Sequence, residues 1–96
     1  MKTIVVAEKT PQFAEDKDIA AKVREDELRP VLSSGGRVRL DFSGIAGATQ
    51  SFIHAMISDL IRSLGSDVLD RMEFANCDEA LQSIIEIVVE YSQYEA

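Results

Sequence analysis

Two segments of this chain are apolar at every second residue. Val38, Leu40 and Phe42 alternate with Arg37, Arg39 and Asp41, and Met72 and Phe74 alternate with Arg71 and Glu73. A period of two is that of a β-strand with one face covered and the other in water. A third segment, Thr3 to Ala7, is a β-branched run ended by Glu8-Lys9-Thr10-Pro11. A parallel sheet buried between two helical layers has strands that are apolar throughout, so here the helices are expected on one face. With right-handed crossovers, that requires the strands to advance in one direction, in the order first, second, third. The expected architecture is one α/β domain of βαβαβα order, a βα superhelix with a mainly parallel sheet and helices mostly on one face.

The intervening segments carry helical spacing. Asp16 or Asp18 can cap a first helix with Ile19, Ala20, Val23, Val31 and Leu32 inward, and Pro30 predicts a kink or restart near Arg29 before Ser33-Ser34-Gly35-Gly36 leads into the next strand. The second helix runs from about Thr49 to Leu64. Phe52, Ile53, Met56, Ile57, Leu60 and Leu64 form its apolar stripe, Gln50, His54, Ser58 and Arg62 its polar side, and Gly65 its stop. The third begins at Asn76-Cys77-Asp78-Glu79 and turns Leu81, Ile84, Ile85 and Val88 inward, with Tyr91 a candidate for the same stripe or, together with Tyr94, for a contact surface.

Ninety-six residues supply one core, read here as a single domain over 1–96. No apolar run approaches the ~20 residues a bilayer requires, and no targeting segment is read at the start, so a cytoplasmic, non-membrane protein is expected. The lone Cys77 forms no internal disulfide, which suits a reducing compartment. A net charge of -7, with ten basic residues dispersed among seventeen acidic ones, speaks against nucleic acid. A protein partner or a small ligand is the expected class.

No enzyme is expected. The chain lacks a nucleophile with its base, a metal constellation and a glycine-rich phosphate cradle. Gly35-Gly36, Gly44 and Gly47 are spaced as turns, His54 is the only histidine, and no cofactor or metal is called for. The informative stretch is Asp41-Phe42-Ser43-Gly44-Ile45 with Thr49-Gln50-Ser51-Phe52-Ile53, a strand end delivering hydroxyl groups onto a helix N-terminus. Such hydroxyls are either plain caps, as Thr49 and Asn76 would be by default, or positions where a phosphate is well tolerated. Ser51 and Thr49 are the phosphorylation candidates. In a parallel sheet the loops after the second and third strands share a rim, which makes Ser43, Gly44, Gln50, Phe52, His54, Asn76 and Asp78 the candidate partner-binding surface.

On Leu40-Asp41-Phe42-Ser43-Gly44, Thr49-Gln50-Ser51-Phe52-Ile53 and Met72-Glu73-Phe74-Ala75-Asn76, the chain resembles the bacterial STAS-like domains of unknown function, over about residues 16–92. These are similar to the STAS domain of anti-sigma factor antagonists. That resemblance implies a STAS-like βα superhelix, a non-enzymatic regulatory role, and a partner that is a histidine-kinase-like ATPase. In the antagonists, an Asp-Ser-Ser-Gly-Leu motif opens the helix and its second Ser is phosphorylated. By position that Ser falls on Ser51, with Thr49, Gln50, Phe52 and Ile53 in the other places. The alternatives are a module that acts by homo-oligomerisation, down to a simple homodimer, and a sensor holding a small anion or nucleotide on helix N-termini.

Overall fold

The residues that alternate in sequence also alternate between the two sides of a sheet. The computed structural model describes residues 1–95. Along the chain come β1 (Lys2–Val5), a 3-10 turn (Val6–Glu8), β2 (Phe13–Ala14), α1 (Lys17–Val23), a π-helical segment (Arg24–Leu28) and α2 (Arg29–Ser33). Then follow β3 (Val38–Asp41), β4 (Gly47–Ala48), α3 (Gln50–Leu64), a 3-10 segment (Ser66–Arg71), β5 (Met72–Ala75) and α4 (Glu79–Glu95). The strands β1, β3 and β5 pair in parallel in that spatial order, as a sheet advancing in one direction requires. Their register aligns Ile4, Leu40 and Phe74 on one face and Thr3, Arg39 and Glu73 on the other. Ile4, Val38, Leu40 and Met72 are buried, whereas Thr3, Arg39 and Glu73 are exposed, with Arg39 Nε 3.2 Å from the Glu73 carboxylate.

The expected first helix is one continuous path in three parts. Asp16 is its cap, accepting from the Asp18 N–H at 2.9 Å. Pro30 has no N–H, and in a regular helix its ring would crowd the carbonyl four residues earlier. The chain widens into the π segment just before it, with the Arg29 N–H donating to the Arg24 carbonyl, and regular helix resumes with Pro30 in the first turn of α2. The extra residue in that turn also brings Leu28 into the core beside Ala20, Val23 and Leu32. Arg29 ties the segment to α3 through Ser63 Oγ at 3.0 Å and a short contact with Asp59, while Arg24 Nη1 donates to the Ala55 carbonyl at 2.8 Å.

The central helix is α3, which packs against both α1 and α4. Phe52, Ile53, Met56, Ile57, Leu60 and Ile61 are fully buried in one cluster with the sheet's apolar face. Two expectations about side chains are corrected. Ser58, read as polar-side, is buried against Ser92 of α4, their hydroxyl oxygens 2.9 Å apart. Tyr91, a candidate for the inner stripe, is 58% exposed. No helix among the described residues is long and apolar enough to cross a membrane.

A feature beyond the expected six elements is the pair β2 and β4, two residues each, joined in parallel with Phe13 opposite Gly47 and Ala14 opposite Ala48. The Ala46 N–H donates to the Gln12 carbonyl at 2.8 Å and the Thr49 N–H to the Ala14 carbonyl at 3.0 Å. A side chain at position 47 would begin 3.0 Å from the Phe13 ring, so glycine here leaves that ring room to lie against β4.

Candidate functional site

The end of β3 turns sharply. The Ile45 N–H donates to the Phe42 carbonyl at 3.1 Å across a four-residue turn with Gly44 at φ +83°, a conformation in which glycine carries no Cβ penalty. Asp41 fixes the base of this turn. Its Oδ1 accepts from the Ser43 N–H and from Asn76 Nδ2, both at 2.9 Å, which joins the loops after β3 and β5. These hydrogen bonds, from Asn76 first and then Ser43, with Arg39 nearby, hold the Asp41 carboxyl below its usual value. Asn76, expected as a cap, instead spends its side chain on Asp41 in a left-handed backbone conformation, φ +58°. The cap of α4 is Asp78, whose Oδ1 accepts from the Leu81 N–H at 2.8 Å.

Thr49 is the cap of α3. Its backbone is extended, its Oγ1 accepts from the Phe52 N–H at 3.1 Å, and its own N–H is held by Ala14. The Thr49 hydroxyl is thus occupied within a half-buried residue. Ser51, in the first turn, is exposed, and its hydroxyl makes no hydrogen bond among the described residues. Phe52, read both as the first residue of the apolar stripe and as part of the partner rim, is fully buried, which fits the stripe and removes it from the rim; the turn that leaves Ser51 outside directs the next side chain into the core.

Of the remaining rim residues, Ser43 and Gly44 are exposed in the turn, and Gln50, Ser51 and His54 line one groove together with Tyr91 of α4. Arg62 Nη2 donates toward His54 Nε2 at 3.2 Å. The expected rim therefore resolves into a turn anchored on Asp41 and a groove over the start of α3. Tyr91, open by spacing between the inner stripe and a contact, is the residue that α4 adds to this groove.

Cys77 is half-buried, with its S–H directed at the Ala75 carbonyl at 3.7 Å, and burial, aided by the carboxylates of Asp78 and Asp41, pushes its thiol up. That environment disfavours the thiolate a nucleophile needs. Among the described residues no three His, Cys, Asp or Glu side chains are grouped to hold a metal ion.

No curated protein and no solved structure matches the chain. The family model of the STAS-like domain of unknown function (DUF4325) matches residues 20–82, from α1 through the first turn of α4. The match covers well over half the sequence and spans β3, the turn, α3 and β5 in their chain order, so the protein belongs to the STAS-like domain family.

Proposed function

We propose that this STAS-like domain is a regulatory protein-binding module, without catalytic activity of its own, and that phosphorylation of Ser51 switches the surface it offers. The observation that carries the reading is the contrast between two neighbouring hydroxyls. Thr49 Oγ1 is committed to its cap, while Ser51 Oγ stands free in solvent one helical turn from His54. A phosphate there would add about -1.5 to -2 charges beside the unpaired N–H groups of the first turn, where negative charge is stabilised. The domain would tolerate the modification, and a partner would meet a different surface. The partner suggested by resemblance to anti-sigma factor antagonists is a histidine-kinase-like ATPase. The Ser51 oxygen would take the γ-phosphoryl group of ATP, releasing ADP and the hydroxyl proton.

Incubation with such an ATPase and ATP, followed by mass-spectrometric mapping, tests this. Phosphate on Ser51, lost in Ser51→Ala and kept in Thr49→Ala, is the expected result. An unmodified chain that forms no complex would overturn it. A second reading, assembly through sheet edges or through the polar sheet face, draws on β1 and β5 both being edge strands and on the uncovered face where Arg39 of the central strand β3 lies beside Glu73 of β5. A stable dimer by light scattering that dissociates on Arg39→Glu would favour it.

A further inference from the structure

Three of the five exposed large apolar side chains among the described residues, Ile87, Tyr91 and Tyr94, lie on α4 at i, i+4 and i+7. They form one stripe, and with Glu90 they line a groove of about 250 Å³. The charged residues of α4 are all glutamates, Glu79, Glu86, Glu90 and Glu95, with no Lys, Arg or His in its seventeen residues. Among the described residues neither Glu86 nor Glu90 is in an ion pair. A second groove, shared by Tyr91 with Gln50, Ser51 and His54, makes the stripe continuous with the candidate site.

We infer that this stripe of α4 docks an amphipathic helix of a partner protein that carries lysine or arginine beside its apolar face. The stripe spans about two helical turns, the spacing at which a second helix presents its own anchors. Tyrosines supply large, stiff apolar contact with a face that attracts cations. The flanking carboxylates select a basic partner. The same charge argues against a second copy of this chain, because two such faces would bring Glu90 against its like. It also argues against nucleic acid and anionic membranes. The inference rests on the reading of the chain as a partner-binding module, but not on the modification of Ser51.

The test uses the intact chain and two fluorescein-labelled helical peptides with the same leucine stripe, one flanked by lysine and the other by glutamate. Anisotropy titration is expected to show binding of the lysine peptide only. That binding should weaken about 10-fold in Tyr91→Ala and in Glu90→Lys, each with an unchanged far-UV spectrum. Amide shifts should map to residues 87–94. Equal binding of the glutamate peptide, binding of neither, shifts confined to another surface, or a stable homodimer that protects the stripe would each overturn the inference. Failure here alongside ATP-dependent labelling of Ser51 would remove the α4 surface and leave the switch standing. Lysine-peptide binding with Ser51 never modified would do the reverse.

Discussion

Replacing Ser92 by alanine should destabilise the domain more than replacing Ser58, although the two hydroxyls share a single contact. Both residues are buried, Ser58 1% and Ser92 0% exposed. Ser92 has one proton and lies 2.7 Å from the Val88 carbonyl, one turn back on its own helix. If that proton goes to Val88, the Ser58 hydroxyl is the donor across the 2.9 Å gap between α3 and α4. Ser58→Ala then removes one hydrogen bond and orphans nothing, at about 1 kcal/mol. Ser92→Ala leaves the Ser58 hydroxyl buried without its acceptor, at about 2 kcal/mol, less if it swings to the carbonyl of His54 on its own helix. For a domain of this size, 2 kcal/mol corresponds to a fall in Tm of about 10 °C. The double variant should be no worse than Ser92→Ala alone, since it leaves no orphan. The chain has no tryptophan, so urea titration followed by far-UV circular dichroism is the suitable assay. Equal single effects, or a double effect equal to their sum, would refute the asymmetric chain of donors.

Thr49→Ala should cost about 1 kcal/mol of stability in the same assay and Thr49→Ser much less, because the hydroxyl accepts the Phe52 N–H. Arg71→Ala should cost about 2 kcal/mol, since Arg71 Nη1 donates to the carbonyls of Leu32 at 2.8 Å and Gly36 at 3.0 Å where α2 hands over to β3. Hydrogen bonds from Lys2 and Lys9 lower Glu27 from its ordinary 4.5 to about 2. Its contribution to stability is therefore complete above pH 4.5 and lost as pH falls toward 2, so Glu27→Gln should flatten the dependence of Tm on pH across that window.

The sheet and its one-sidedness were legible because two of its three strands carried a clear period of two and the first a β-branched run, and the polar residues Thr3, Arg39 and Glu73 do fall side by side. Pro30 announced the restart of the first helix, but the π turn itself was hidden. Its trace is the five-residue step from Val23 to Leu28, which a search for three- and four-residue steps passes over. A two-residue strand has no period at all, so Phe13–Ala14 and Gly47–Ala48 read as loop. Ser58 was placed by polarity, yet a hydroxyl with a partner on the facing helix is accommodated inside, and no single helix reveals that its neighbour supplies one. At the site, Thr49 and Ser51 were visible as a pair of hydroxyls. Which one is occupied depends on a backbone amide three residues on, and the inward turn of Phe52 follows from the same cap.

The short parallel pair upstream of α3 gives the serine corner a remote tether. Thr49 is gripped from behind by Ala14, a residue that precedes the family-matched segment altogether. Prising Phe13–Ala14 away, by a cut in the preceding loop or by a competing strand laid along Gly47–Ala48, would free the amide that sets where the helix begins. The angle at which Ser51 is displayed is thus governed by a part of the molecule that never touches it.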